Sequence, residues 1–496
     1  MTDLVIEKFD NVYIRITCDI SISQELKEYF TFKAPGWQFT PAARFKKWNG
    51  DISLFNMFTG LIYAGLRRKV EHFAQERGYS IEFVGDFSNL EFSVVEAVEF
   101  IKSLHLPEEY KIRDYQAKAV ISAIRNKRLL LLSPTASGKS FIIYIITRFF
   151  NLKTLILVPK VGLVNQLASD FKDYGFDEKK IHKIYAEQDK DDDTKNIYIS
   201  TWQSLFKMKK NYFAQFELVI CDEVHLATAK SLTDILEKCE NAEFRFGFTG
   251  TLKSETIHKL VLEGLFGPVK TVATTSELIE KDHISPIKIK AIVLQYPDSI
   301  KQMINKRKVE VDGKKVTKPY TYQEEIDFLL GYEPRNKFIK NLALSLKGNT
   351  FLAFRRIETQ GKILYEMIKK DSKGNVYYID GQSSIEYREE VRHIIEKEID
   401  SILCASLGVF QEGTNIKKIH NMIFTYPAKS AVVVLQSIGR GLRKSEDKVN
   451  FTLFDITDDI SWKKRKNITL EHFEERVKIY AQQKFPVKMY NVALKG

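Results

Sequence analysis

Three short strings carry the residues able to do chemistry: Ser133-Pro-Thr-Ala-Ser-Gly-Lys-Ser140, Asp222-Glu-Val-His225 and Gln436-Ser-Ile-Gly-Arg-Gly-Leu-Arg443. In the first, Pro134, Thr135, Ala136, Ser137 and Gly138 make a loop of small residues whose backbone N–H groups can turn inward on a phosphate chain, backed by the positive end of a following helix. Lys139 is placed to neutralise β- and γ-phosphate oxygens and Ser140 to ligate magnesium. The strict phosphate-loop pattern asks for glycine at position 133; this chain has serine, which is still small. In the second string Asp222 is expected to hold the metal, directly or through water, and Glu223 to act as general base on the attacking water. In the third, Arg440 and Arg443 stand three apart on an expected helix with Gln436 one turn before Arg440, so three polar heads share a face able to meet a transferring phosphate. Together the strings imply hydrolysis of a nucleoside triphosphate with Mg2+, and Lys139, Asp222, Glu223, Gln436, Arg440 and Arg443 as the catalytic set.

Each string needs a strand end or a helix start to position it. From Leu129 onward, short β-rich apolar runs alternate with amphipathic stretches, the pattern of parallel sheets covered by helices. Strands are expected at 129–133, 154–158, 197–201, 218–221 and 244–249, and a second series at 350–354, 376–379, 401–405, 422–425 and 451–455. The first string then follows the first strand and the second ends the fourth, so the ligand residues gather at the carboxyl ends of strands, where open α/β sheets bind. Residues 1–95 differ in texture, with strand-like runs at 12–17 and 52–55 and a helical run at 66–77, and read as a small α+β module. Residues 301–320 read as a basic hairpin with an Asp-Gly turn or as a solvated loop. The last residues, opened by Lys463-Lys-Arg-Lys466, read as helical and able to pack on the second α/β domain.

With 496 residues the chain exceeds one ordinary core, and several domains are expected. The formal net charge of +12 favours a polyanionic partner. The excess is clustered: residues 31–70 hold seven Lys/Arg against one acid, Asp51, and residues 301–320 hold seven against two. Cys18, Cys221, Cys239 and Cys404 are scattered without a C-x-x-C pair, which fits a reducing cytosol and gives no zinc ribbon. No apolar run approaches the roughly 18 residues needed to cross a bilayer. The opening Met-Thr-Asp-Leu-Val-Ile-Glu-Lys lacks a signal pattern, so a cytoplasmic protein is expected.

These residues closely resemble the superfamily-two helicases and translocases of the DExH type, over about 110–455. The resemblance implies two tandem RecA-like domains, α/β in class, and ATP as the nucleotide. Ile112-Arg-Asp-Tyr-Gln116 is similar to that group's adenine-recognising motif, implying nucleotide-binding roles for Arg113 and Gln116. Val158-Pro-Lys160, Thr201-Trp-Gln203, Thr249-Gly-Thr251 and Phe354-Arg-Arg356 fall where the group contacts a nucleic-acid strand or couples it to hydrolysis, implying Lys160, Thr201, Trp202, Thr249, Thr251 and Arg355. The string from Gly408 to Asn415 places Gly413 at the nucleotide. Asn415 stands where the group has aspartate.

The amino-terminal string Phe39-Thr-Pro41, Arg44, Trp48-Asn-Gly-Asp51 and Gly65-Leu66 is similar to bacteriophage UvsW proteins, helicases of branched DNA and recombination intermediates. It implies an accessory DNA-binding module at 1–95 in which Arg44, Lys46, Lys47 and Trp48, with Arg67 and Arg68, meet phosphates or bases. For Trp48 and Phe39 the competing reading is hydrophobic core. The expected layout is 1–95 accessory module, 96–280 first RecA-like domain, 281–460 second RecA-like domain and 461–496 helical tail. The expected activity is an ATP-dependent DNA helicase, monomeric, in the host cytoplasm if phage-encoded, with ATP between lysine and arginine from opposite lobes. An RNA-remodelling helicase, a restriction-type translocase subunit, for which no nuclease string is found, and an ATP-gated DNA-binding scaffold are the alternatives.

Overall fold

Runs of Leu, Ile, Val and Phe build two seven-stranded sheets in the computed structural model, which describes residues 2–34, 36–185, 192–226, 230–252, 256–311, 314–411, 416–427, 430–444 and 448–495. The first sheet runs in the order Val269–Thr271, Arg128–Leu132, Phe244–Thr249, Leu218–Cys221, Thr154–Val158, Ile197–Thr201, Ile181–Ile184, and every neighbouring pair is parallel. Every residue of the Thr154–Val158, Ile197–Thr201 and Leu218–Cys221 strands is buried, because helices cover both faces of a parallel sheet. The second sheet runs Val376–Ile379, Ile402–Ser406, Thr350–Phe354, Asn421–Phe424, Phe451–Asp459, Ile287–Gln295, Val487–Ala493, again all parallel. The chain divides into two compact units, Met1–Ala273 and Thr274–Gly496. Arg307–Val311 and Lys314–Lys318 pair antiparallel as the expected hairpin; its turn residues 312–313 lie outside the described residues.

The carboxyl tail corrects one expectation. It is helical only over Ile468–Gln482; Val487–Ala493 then joins the second sheet as an edge strand. That strand is half exposed and is broken by Lys488 and Asn491, so it gave no long apolar run to read. The helix is fixed to the sheet by a buried network in which Arg476 donates to both carboxylate oxygens of Asp455 at 2.9 Å and Tyr480 donates to the same carboxylate at 2.8 Å. Burial alone would lower the Arg476 guanidinium; the Asp455 charge outweighs it and raises it. Both charged partners are wholly buried, so Arg476→Ala leaves an unpaired carboxylate and is expected to cost the second unit about 3–5 kcal/mol. Urea unfolding followed by far-UV dichroism checks this, and a loss below about 1 kcal/mol would show that water reaches Asp455.

The amino-terminal module pairs Leu61–Tyr63, Tyr13–Cys18, Leu4–Lys8 and Ile81–Val84 in that order, with helices Ile20–Tyr29 and Arg67–Arg77 over one face. Its core of Leu4, Ile6, Ile62, Leu66, Val70 and Phe73 extends onto Leu260 of the Thr256–Phe266 helix. The two backbones approach closely there: a Cβ at Gly65 would lie 2.1 Å from the Glu263 carbonyl oxygen. Tyr63 donates to Glu237 at 2.5 Å, and the Asn11 carbonyl accepts from Arg128 at 2.9 Å and from the wholly buried Arg245 at 3.4 Å.

Candidate active site

The phosphate loop leaves the carboxyl end of Arg128–Leu132 and runs into the Lys139–Phe150 helix. Ala136 and Gly138 take left-handed φ of +67° and +79°. Such alternation turns successive N–H groups toward one centre, and a non-glycine residue in that region marks backbone held under strain for a purpose. Ser133 explains its departure from glycine. Its hydroxyl lies 2.6 Å from Ser137 Oγ, which donates to the Pro134 carbonyl at 2.6 Å, while the Ser133 N–H donates to the Thr249 carbonyl at 2.8 Å. The side chain thus ties the two ends of the loop together.

Tyr115 OH and Gln116 Nε2 both donate to the Ser137 carbonyl at 2.9 Å, and Gln116 Oε1 accepts the Arg113 N–H at 2.9 Å. A Cβ at Gly138 would lie 2.4 Å from Gln116 Nε2, so glycine there is also a requirement of space. Gln116 therefore holds the loop, one N–H and one oxygen of its amide being committed to these contacts.

At the end of Leu218–Cys221, Asp222 accepts the N–H of Glu223 at 2.8 Å, and Glu223 itself sits at a φ of +53°. Lys139 Nζ lies 2.5 Å from Glu223 Oε1 and 3.7 Å from Asp222 Oδ1. The other Glu223 oxygen lies 3.2 Å from His225 Nδ1, which is 2.9 Å from Thr249 Oγ1; that hydroxyl donates to the Thr251 carbonyl at 2.7 Å. A continuous chain of polar contacts thus runs from the lysine to the Thr249-Gly-Thr251 turn. Burial pushes the Asp222 carboxyl up to about 6 against the pull of Lys139. Burial would raise Glu223 as well, but Lys139 and His225 outweigh it and hold that carboxyl well below its ordinary value. Ser140 Oγ stands 2.9 Å from Tyr174 OH. One hydroxyl from Ser140 and one carboxylate from Asp222 fit Mg2+, which binds through few protein oxygens and keeps waters and phosphate oxygens for the rest.

In the second unit Gln436 and Arg440 lie one turn apart on the Ala431–Gly441 helix. The expectation that Arg443 shares that face is corrected: the helix ends two residues earlier. Its end is fixed by Lys448, which donates to the Gly441 carbonyl and, at 2.8 Å, to that of Arg443. A Cβ at Gly441 would lie 2.2 Å from the Phe451 ring, so the helix rests directly on the sheet. Arg355 is exposed, its guanidinium 5.2 Å from the Tyr426 ring centre. Gly413 and Asn415 lie outside the described residues.

Among the expected nucleic-acid contacts, Lys160 is exposed at the start of the Val161–Asp173 helix, and Arg44, Lys46 and Lys47 are exposed on the amino-terminal module. Trp48 is half-buried and donates to the Asp51 carbonyl at 3.0 Å. Thr251 is half-buried. Three side chains correct the reading. Thr201 and Trp202 are 5% and 4% exposed and Thr249 is wholly buried, with Trp202 packed among Leu205, Phe213 and Phe216. Buried side chains cannot stack on a strand; they hold the loops in place. Sequence reasoning assigned no role to His225, although it is the last letter of its string, nor to Tyr115 beside Gln116. Tyr174, remote in sequence from Ser140, left no local signal.

The fold and this site define a superfamily-two motor of two RecA-like domains. Residues 109–254 match the type III restriction enzyme res subunit model, 334–445 the helicase conserved C-terminal domain and 3–84 the DNA helicase UvsW N-terminal domain. The chain is 33% identical to the ATP-dependent DNA helicase uvsW of Enterobacteria phage T4, over 99% of this chain and 100% of that one. It is 24% identical to the DNA 3'-5' translocase XPB2 of Sulfurisphaera tokodaii, over 73% of this chain and 85% of the relative. The crystal structure of T4 UvsW matches all of both chains at 32% identity and a TM-score of 0.51. This chain belongs to the UvsW family of helicases.

Proposed function

We propose that this chain is an ATP-dependent DNA helicase acting on branched DNA, such as forks and recombination intermediates, as a monomer in the cytoplasm of the host cell. The observation that carries the reading is that a UvsW-type module shares one compact unit with an assembled phosphate loop and Asp222-Glu223 pair. Pro134 to Ser140 bind the phosphates of ATP, Arg113 and Gln116 serve its base, and Ser140 and Asp222 hold Mg2+. When bound, the ion neutralises charge on the phosphate oxygens. Incoming phosphates compete with Glu223 for the Lys139 ammonium. Once Lys139 turns to them, Glu223 regains an oxygen able to take a proton from water, while His225 keeps the other oxygen in place. Gln436, Arg440 and Arg443 serve the transferring phosphate, with Gly413 on the nucleotide. Lys160, Thr251 and Arg355 face the strand, and Arg44, Lys46, Lys47 and Trp48 serve the branch.

The test compares ATPase and unwinding on single strands, plain duplex, forks and four-way junctions, each in DNA and RNA. Forked and four-way DNA are expected to stimulate most. Equal stimulation by RNA, or binding without turnover, would overturn the reading.

A further inference from the structure

The turn at Asp10 and Asn11, the start of the Arg67–Arg77 helix, the loop at 86–89 and residues 126–128 line one crevice of the first unit, and no phosphate-loop residue lies on its wall. Its volume is about 100 Å³, against the roughly 10–15 Å³ that one water needs, so it admits a polyatomic group. Arg128 stands on that wall. Its Nη2 donates to the Asn11 carbonyl at 2.9 Å, while its Nη1 is buried and has no hydrogen-bond partner among the described residues. Native proteins satisfy nearly all buried donors, so an N–H left over on the wall of a cavity calls for a ligand that accepts it.

The crevice is also short of negative charge. Five Lys/Arg line it against three acids, and each acid is engaged by the protein itself. Glu243 holds Lys127 at 2.7 Å, Asp10 accepts the N–H groups of Val12 and Tyr13 at 2.6 and 2.7 Å, and Asp86 accepts that of Ser88 at 2.8 Å. Arg67 is met from outside the crevice by Glu71 at 3.3 Å, but Arg68 donates to the neutral amide of Asn126 at 2.8 Å. Next to Arg128 is Arg245, wholly buried, whose hydrogen bonds go to the carbonyls of Leu265, Cys239, Leu236 and Asn11. Burial and the Arg245 charge lower the Arg128 guanidinium to about 9, against a smaller pull from Glu243. The Arg67–Arg77 helix starts at the crevice with no acid in its first turn and no side-chain cap, which adds its positive end to the same field. A water would satisfy Nη1 and leave these charges unanswered. A phosphate answers both, since it is dianionic and tetrahedral and its oxygens match the guanidinium fork. We propose that this crevice binds a small phosphate, either inorganic phosphate or the 5′-phosphate of a mononucleotide, between Arg128 and Arg68. Bound there, it ties the amino-terminal module to the Arg128–Leu132 strand that leads into the phosphate loop.

The full chain is first saturated with ADP and Mg2+, so that the phosphate loop does not report, and is then titrated calorimetrically at constant ionic strength with inorganic phosphate, 5′-AMP and adenosine. Inorganic phosphate is expected to bind with one equivalent and to raise the thermal midpoint. Arg128→Lys, which keeps the charge and loses the fork, is expected to weaken that binding by roughly tenfold or more. Arg68→Gln, on the exposed rim, weakens it by roughly 3- to 10-fold. A thermal midpoint unchanged in the absence of phosphate confirms that each variant is folded; should Arg128→Lys fail this, Arg68→Gln decides. Binding of inorganic phosphate alone assigns the free ion, and binding of 5′-AMP as well assigns a phosphate carried by a nucleotide; either supports the site. The proposal is overturned if millimolar phosphate gives no binding, if adenosine binds as well as 5′-AMP, if acetate displaces phosphate at equal concentration, or if the folded variants bind phosphate as wild type does.

Discussion

Arg440→Ala is expected to lower DNA-stimulated ATP turnover by about 10³-fold or more, with nucleotide affinity within a few-fold of wild type. An arginine brought to the transferring phosphate acts on charge that develops only in the transition state, so its loss falls on kcat and spares binding. Arg440 suits that task because its helix is positioned from two sides. Gly441 lets the last turn lie on Phe451, and the Lys448 ammonium holds the carbonyls of Gly441 and Arg443. Arg443, beyond the helix end, depends on the same clamp. Arg440→Lys is expected to stay low as well, since a lysine keeps the charge without the planar fork that matches phosphate. Single-turnover hydrolysis with saturating forked DNA is the measurement, and a folded Arg440→Ala variant near the wild-type rate would remove the arginine from the mechanism.

Glu223→Gln should slow hydrolysis by about 10²–10⁴-fold, because an amide of the same shape cannot accept the proton. Binding of ATP with Mg2+ should hold or tighten. Lys139 rests on Glu223 at 2.5 Å, and the amide releases that ammonium to the phosphates. The pairing of slower chemistry with equal or tighter binding separates a base from a merely structural carboxylate, whose loss would weaken both. A fluorescent ATP analogue and single-turnover kinetics read the two quantities. Hydrolysis within a few-fold of wild type would assign the proton to another group.

The chemistry was legible where it is local and opaque where it is tertiary. The phosphate loop and the Asp222-Glu223 pair are short strings at strand ends, and the strands that end in them are apolar runs with nothing ambiguous about them. Ile181–Ile184 carries His182 and Lys183, Val269–Thr271 is brief, Ile287–Gln295 opens with Lys288 and Lys290 between its isoleucines, and Val487–Ala493 is a half-exposed edge; none of these four was among the expected strands. Type alone does not say whether an aromatic ring finds neighbours: Trp202, expected at a nucleic-acid strand, is packed among Leu205, Phe213 and Phe216, while Phe39, for which hydrophobic core was the competing reading, is 77% exposed. The partnership of Ser140 with Tyr174 depends on two helices packing, which no local spacing encodes. Arg443 was misplaced by one short step, since a helix end at Gly441 is set by Lys448 and Phe451 from elsewhere in the chain.

The Asn11 carbonyl has a practical bearing on how this enzyme can be dissected. Arg128 begins the strand that leads into the phosphate loop, and it donates to that carbonyl, as does the buried Arg245 on the neighbouring strand. Excising the first 95 residues would therefore strip guanidinium groups of an acceptor and bare the Leu260 surface, injuring the ATPase along with whatever the excised segment grips. A truncated enzyme that fails on forks would report two lesions at once; single substitutions on an intact chain keep them apart.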